Sequence, residues 1–561
     1  LPPPTTGGEE ECDRATIRPS GRISISMLYG SGVYDGEIRP KLQEMAVAAR
    51  EIEAGRKPAP VATLRVTAAR QPVWARGRVW DTSDPDDCHE VVRSTRHTTF
   101  PGQRQVNRAE FRAMAAEMAW DRVDPDIVGQ LGEGGMEVRS DCAPDTVIAF
   151  HQKGFVAEYE AARRVIDANM DEEWVSEPVM HLPFVPCRVN PRNVIMQDRT
   201  RVLADGVTVE HYQKPRVTSN TSYGGAESPN GGVSVADSQV SLPSVQTFGL
   251  GLAIVGAMAD VGVDIPGYDG SADEARGGMQ PHGPEYEGVA GYTVDAESAY
   301  SFCPVQRADQ HLQCFFWWRG RQRADGSRDF RPGVSVSSRL EFGGAFAPNR
   351  FCRTSALVAA HAGAAQARFD ARQPPPPRVV AASAFRAGLQ AAGELSDGAG
   401  QSAARYLQIF VDDGNGGTTK DKVVSPDEVS HIHISAVTTT AMGGVVAPMD
   451  SRVMVHTKLF ILSLRRMGMA DAEQKTVVGD PLGSLGFEVR IRGCRIRCTE
   501  AKRVVMLDDI ERQLGWVTAD RLVRCKPAER LVGRFTNLSQ IYPELRARLH
   551  AGYRVAMGRW Q

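Results

Sequence analysis

The sequence predicts an α+β fold built around an antiparallel sheet, and three features predict it. The first is the apolar run Tyr406-Leu407-Gln408-Ile409-Phe410-Val411, closed by Asp412-Asp413 and followed by Gly414, Asn415, Gly416 and Gly417. Strand formers running into a Gly/Asn cluster read as a β-hairpin with both carboxylates at its tip. The second is another apolar strand that ends in aspartate, Tyr292-Thr293-Val294-Asp295. The third is a set of helical stretches around these strands, at residues 108–118, 155–170, 248–258, 500–514 and 528–538.

Residues 1–140 alternate Arg/Ala/Pro-rich and acidic patches without a repeat of fixed period, and they stay an unassigned N-terminal region. Within 141–245, Leu182-Pro183-Phe184-Val185-Pro186-Cys187-Arg188 and Lys214-Pro215-Arg216-Val217-Thr218-Ser219-Asn220-Thr221-Ser222 carry basic residues beside prolines, which taken alone read as solvated loop ends. The glycine-rich stretch 248–258, stopped by Asp260, is too short to span a bilayer and reads as a buried helix behind the sheet. Arg372-Gln373-Pro374-Pro375-Pro376-Pro377-Arg378 marks a polyproline linker or surface loop, placed in an expected surface insertion at 368–404. Arg490, Arg492, Arg495 and Arg497 alternate with other residues as on a strand with arginines on one face.

At 561 residues the chain is long enough for two to four domains. Net charge is −2, but residues 488–561 carry 16 Lys+Arg against 8 Asp+Glu, a basic segment suited to a phosphate backbone. Ten cysteines include no Cys-x-x-Cys; Cys494 and Cys498 lack a matching pair, so no zinc site is expected. Scattered thiols suit a reducing, intracellular setting, cytoplasm or nucleus. His431 and His433 alternate with isoleucines as half-exposed strand residues. No membrane span or signal peptide is read, and the start at Leu1-Pro2-Pro3-Pro4 suggests a piece of a longer polyprotein.

Five segments in order carry a family resemblance: Val294-Asp295-x-x-x-Ala299-Tyr300; Phe342-Gly343-Gly344-Ala345-Phe346-Ala347-Pro348 with Phe351; Phe410-Val411-Asp412-Asp413; residues 468–475, ending in Lys475; and Leu485-Gly486-Phe487. Together they resemble the motifs of retrotransposon reverse transcriptases, with the Gly-x-x-x-Ala-Pro loop leaning toward long-terminal-repeat and tyrosine-recombinase elements. The resemblance spans roughly residues 180–490. It implies a right-hand polymerase: fingers at 141–245, a palm with an antiparallel sheet at 246–487, and a partial thumb or connection at 488–561.

The resemblance also implies roles for single residues. Asp295 and Asp412 are the principal ligands of two Mg²⁺ ions, with Mn²⁺ as an alternative; Asp413 is a third, peripheral ligand, and the carbonyl of Ala296 completes a shell. The ions, about 3.5–4 Å apart, would activate a primer hydroxyl and steady the leaving pyrophosphate. By the same resemblance Arg188 and Arg216 clasp the triphosphate, Gly343 lets backbone approach the nucleotide, and Lys475 lies near the leaving group. Tyr300 bars a 2′-hydroxyl, the handle that separates ribonucleotides from deoxynucleotides. Leu485, Gly486 and Phe487 form a primer grip. Two departures stand out: Arg188 replaces a lysine, and Asn220 replaces an acidic residue.

The implied activity is RNA-directed DNA synthesis, extending a primer on an RNA/DNA template–primer with deoxynucleoside triphosphates. An RNase H or integration domain would lie in a further part of the element. Two alternatives stay open. One is a decayed or domesticated element protein that binds nucleic acid without catalysis. The other is a relative that copies RNA into RNA, against which Tyr300 speaks.

Overall fold

The structure is a computed structural model that describes residues 32–70, 106–202, 209–240, 242, 244–260, 264–272, 284–322, 328–392, 405–410, 413–434, 445–484, 487–491, 495–518, 525–539, 541–542 and 545. Among these the strands form four sheets, and the fold is mixed α and β. One five-stranded sheet runs β11 (Val445–Val446), β12 (Val477–Asp480), β6 (Val289–Asp295), β10 (Asp413–Thr419), β9 (Arg405–Phe410), and every neighbouring pair is antiparallel.

The strand β10 is an unlikely strand by composition. Its sequence, Asp-Gly-Asn-Gly-Gly-Thr-Thr, favours a turn. Packing overrides that preference. A Cβ at Gly414 would collide with the Phe460 ring, and one at Gly416 with the Tyr292 ring, so glycine lets these rings lie directly on the strand. The glycine cluster is therefore an inner strand of the sheet, paired to β6 on one side and β9 on the other.

On that face lie α5 (Ala347–Arg372) and α7 (Arg452–Arg466), which share a core with Tyr292, Val294, Phe351, Leu357 and Phe460. On the opposite face lies α4 (Val245–Ala259), where Phe248, Leu252 and Val255 pack with Tyr406, Leu482 and Phe487. The helix expected at 248–258 is thus present, and it does pack behind the sheet. Leu252 meets Gly291 and Gly417, four residues along the strands from Asp295 and Asp413 and so about 13 Å away.

The second five-stranded sheet has the order β1 (Leu64–Val66), β2 (Thr146–Ile148), β3 (Arg188–Val189), β7 (Cys314–Gln322), β8 (Arg328–Val336). Its middle strands β2, β3 and β7 are parallel. β7 opens Cys-Phe-Phe-Trp-Trp, a continuous apolar run, and all five of these residues are buried, as befits a strand covered on both faces. Phe155 and Tyr159 pack on Trp317 and Trp318 beneath α1 (Arg39–Glu53) and α3 (Tyr159–Asp171).

Among the described residues, α1 and β1 join the second sheet, whereas α2 (Arg108–Glu117), Met136 and Val138 join the core of the first. The expected palm, 246–487, contains β7 and β8, which belong to the second sheet. Phe369 and Asp370 are buried residues of α5, and the prolines that follow lead into α6 (Pro377–Ala391).

The 11-residue hairpin β4 (Arg192–Val202) and β5 (Val209–Ser219) forms its own sheet. A last sheet joins β13 (Leu482–Ser484), β14 (Phe487–Arg490) and β15 (Arg495–Cys498), and α8 (Glu500–Thr518) and α9 (Cys525–Leu538) follow where helices were expected. His431 and His433 are exposed and Ile432 and Ile434 buried, which keeps the alternation without a strand. Among the described residues no helix is long and apolar enough to cross a membrane.

Candidate active site

Asp295 ends β6, Asp413 opens β10, and the register places them directly opposite each other. Opposed residues on antiparallel strands carry Cβ atoms about 4.5–5.5 Å apart on one face, where two like charges are destabilising. A cation answers that cost: the Lys475 ammonium forms an ion pair with Asp295 Oδ2. The Asp295 side chain is only 12 % exposed, whereas that of Lys475 is 51 % exposed. Asp412, expected as a principal ligand, lies outside the described residues, as does Val411. Asp413, expected as peripheral, is the residue in register with Asp295.

Backbone bonds fix Lys475 at this place. The Ala472 amide donates to the Asp295 carbonyl at 2.8 Å, and the Glu297 amide donates to the Ala470 carbonyl at 2.7 Å. Ala296 bridges to Asp471, whose carboxylate takes both Arg465 donors at 2.7 and 3.2 Å. From this anchored segment one turn of 3₁₀ helix, Glu473–Lys475, delivers the lysine, with the Lys475 amide donating to the Ala472 carbonyl at 2.7 Å.

Tyr300 lies on a single helical turn, Ala299–Phe302, just past Asp295. Its ring is 4.9 Å from that of Phe342 and 5.8 Å from that of Phe351, edge-on to the latter. The chain makes an excursion between Tyr300 and Phe342 to build β7 and β8, and the root of that excursion is zipped shut. Val305 N donates to Ser338 O at 2.9 Å, Leu340 N donates to Cys303 O at 3.0 Å, and Pro304 bridges to Arg339. That closure is why two rings 42 positions apart in sequence meet.

Phe342 in turn touches the hairpin. The Arg216 guanidinium sits 5.1 Å from the Phe342 ring centroid, in cation–π range. The next residue, Gly343, adopts φ +114°, and a Cβ there would run into the Ser219 carbonyl, so only glycine fits. Ser219 N donates to Phe342 O at 2.7 Å, while Thr221 Oγ1 and Asn230 Nδ2 donate to Gly343 O at 2.7 and 2.8 Å. Asn230 Oδ1 also accepts the Ala345 amide at 2.8 Å, so one side chain clamps the loop from both ends. Sequence reasoning missed Asn230, whose Ser-Pro-Asn-Gly-Gly setting signals only a turn.

The remaining site residues fall elsewhere. Arg188 is buried in β3 and donates to the Ala143 carbonyl at 2.5 Å, so its guanidinium serves the second sheet. Phe487 is buried in the core beneath α4, with the Lys502 ammonium 3.9 Å from its ring centroid. Leu485 and Gly486 lie outside the described residues. The run 490–497, expected as one strand, is split between the antiparallel strands β14 and β15, and Arg492 lies outside the described residues; Arg490 opposes Arg495 and Glu488 opposes Arg497, and Arg490, Arg495 and Arg497 line a groove of about 390 Å³. Glu488 accepts from both Arg490 and Arg497, at 2.6 and 2.8 Å.

Among the described residues no group of three or more His, Cys, Asp or Glu lies together as a metal site. The donors on hand are the opposed carboxylates of Asp295 and Asp413 and the adjoining main chain, all hard oxygens. That set fits magnesium, which keeps several waters and needs only one or two carboxylates.

No family model matches the chain, and no curated protein matches it. Among solved structures, the foamy viral protease-reverse transcriptase in complex with ds DNA aligns at 12 % identity and a TM-score of 0.31. The alignment covers 74 % of this chain and 46 % of that one, so the chain spans under half of its length.

Proposed function

We propose that the chain is a reverse transcriptase of a retrotransposon, an RNA-directed DNA polymerase that extends a primer with deoxynucleoside triphosphates. The observation that carries this reading is the pair Asp295 and Asp413, opposed on neighbouring strands with Lys475 beside them. Like charges so placed serve little purpose except to hold cations. Magnesium, when bound, would supply charge neutralisation and activation of the attacking hydroxyl. Asp295 and Asp413 would hold it, together with Asp412 and the Ala296 carbonyl.

The other residues position the nucleotide. Lys475 places a cation where negative charge builds on the leaving pyrophosphate, the kind of stabilisation that dominates phosphoryl transfer. Tyr300, backed by Phe342 and Phe351, forms an aromatic wall against a 2′-hydroxyl. Arg216 presents a guanidinium from the hairpin, whose planar fork suits a phosphate. Arg490, Arg495 and Arg497 suit the backbone of an RNA/DNA template–primer, in a contact that salt would weaken.

The test is primer extension by the purified chain on an RNA template with Mg²⁺ and deoxynucleotides. Extension abolished by Asp295→Asn and by Asp412→Asn/Asp413→Asn would bear the reading out. Folded protein that binds template–primer but never extends it would replace this reading with a decayed, nucleic-acid-binding element protein.

A further inference from the structure

We propose that Lys475 is a displaceable counter-cation of Asp295, so that divalent metal and triphosphate bind this site cooperatively. The inference rests on the polymerase reading and concerns the regulation of that same site. Asp295 and Asp413 stand opposed in register, and the Lys475 ammonium pairs with Asp295. The ammonium occupies Oδ2 of a carboxylate that is itself nearly buried. Magnesium coordinates an oxygen at about 2.0–2.1 Å, a distance at which an ammonium on the same oxygen would be expelled by exclusion and repulsion. Metal entry at Asp295 Oδ2 therefore requires Lys475 to leave.

The lysine is built to leave. Its backbone is tied down through Ala472 to Asp295, but its side chain is half exposed on a four-carbon stem. Arg465, the cation on the adjoining segment, is engaged with Asp471 and does not substitute for it on Asp295 in this structure. Once displaced, an ammonium beside a bound divalent cation is repelled by it and stabilised by an anion. The anion that belongs here is the triphosphate of an incoming nucleotide. Metal alone must then compete with Lys475, nucleotide alone must compete with Asp295, and the two together relieve both competitions. Linkage makes the coupling reciprocal, and about five- to 150-fold is usual for such effects.

The test needs no turnover. Mn²⁺ binding to the whole chain, read by paramagnetic resonance without nucleotide, is compared in wild type, Lys475→Met, Lys475→Arg, Asp295→Asn and Asp413→Asn. Lys475→Met is expected to tighten Mn²⁺ by about tenfold, Lys475→Arg to stay near wild type because the cation is kept, and Asp295→Asn to weaken binding. Reciprocally, a fluorescent deoxynucleotide in EDTA should bind Asp295→Asn more tightly than wild type, and the added Lys475→Met should remove that gain. If Asp295→Asn weakens Mn²⁺ but Lys475→Met leaves it unchanged, this inference falls and the polymerase reading stands. If Mn²⁺ binding ignores both Asp295→Asn and Asp413→Asn, the metal site of the polymerase reading falls with it.

Discussion

Replacing Arg452 with methionine should loosen the two helices that back the carboxylate sheet. Arg452 is fully buried at the start of α7. Its Nε and Nη2 make a fork to Asp421 at 2.9 and 2.8 Å, and Nη1 reaches Asp370 at 2.7 Å. The carbonyls of Gln373 and Pro374 accept the remaining donors at 2.7 and 2.9 Å. Asp370 on α5 is also bonded to Arg405 on β9 and to His456, each at 3.0 Å, so one network ties α5, α7 and the sheet edge together. Methionine fills the stem's volume but strands the fork of Asp421 and two carbonyls. Breaking a buried pair on one side costs about 3–5 kcal/mol. Because the chain holds several cores, a single melting point would mix their transitions, and hydrogen exchange of α5 and α7 is the cleaner assay. Protection there should fall by about two to four orders of magnitude, at roughly 1.4 kcal/mol per tenfold, while β7 in the other core keeps its protection. Arg452→Lys should fall between, since an ammonium keeps the charge and loses the fork. A loss under about 1 kcal/mol in Arg452→Met would refute the reasoning, because it would mean the buried carboxylates need no partner.

Phe342→Ala removes the ring between Arg216 and Tyr300, an aromatic contact worth about 0.5–1.5 kcal/mol. The ratio of kcat/KM for deoxynucleotides over ribonucleotides should fall by about two- to tenfold; a uniform drop for both would show that Phe342 does not position Tyr300. His151 gives a pH prediction. Its burial, reinforced by the Arg192 charge, pushes its pKa from 6.5 down to about 3, and its Nδ1 accepts the Arg192 amide at 3.2 Å. The unfolded chain takes up this proton near pH 6.5 and the folded chain refuses it until about pH 3, so stability is fully present above 6.5 and falls on acidification through that window. The slope is about 1.4 kcal/mol per pH unit for one such group. Denaturation of the β7 core between pH 7.5 and 5 should therefore be flatter in His151→Phe, at a lower starting stability; parallel profiles would remove His151 as the cause.

The legible parts of this chain are those where local pattern and tertiary role agree. The strand 292–295, the hairpin at 406–413 and the helix at 248–258 each follow a local pattern that survives packing. Illegible are the places where a distant neighbour decides. Nothing local marks Gly414 and Gly416 as strand, because the reason lies in rings from α7 and β6. Arg188 beside prolines reads as a solvated loop end or a phosphate clasp, and neither pattern reveals that its partner is the Ala143 carbonyl. Within the site, the aspartates, Tyr300 and Lys475 stand out by motif. Their register, their ion pair and the clamp by Asn230 depend on contacts that span from 113 positions, Asn230 to Gly343, up to 180, Asp295 to Lys475, and leave no periodic trace.

The interleaving of the two sheets explains how one site draws on both cores. Asp295 and Asp413 are held by the first sheet, whose register is pinned along seven opposed pairs. Phe342 and Gly343 emerge where the chain returns from β8, and they are docked by Ser219 at the end of β5 and by Thr221 just past it. Tyr300 stands at the seam, leaving β6 on one side and touching Phe342 on the other. A shift of the β4–β5 hairpin, for instance when Arg216 meets an anion, would therefore be felt first at Phe342 and then at the Tyr300 ring, while the carboxylate pair stays fixed. On the proposed polymerase reading, acids fixed by the sheet and an aromatic ring coupled to the hairpin would divide the work of holding metal and of selecting a nucleotide, since charge-stabilising groups act best when preorganised.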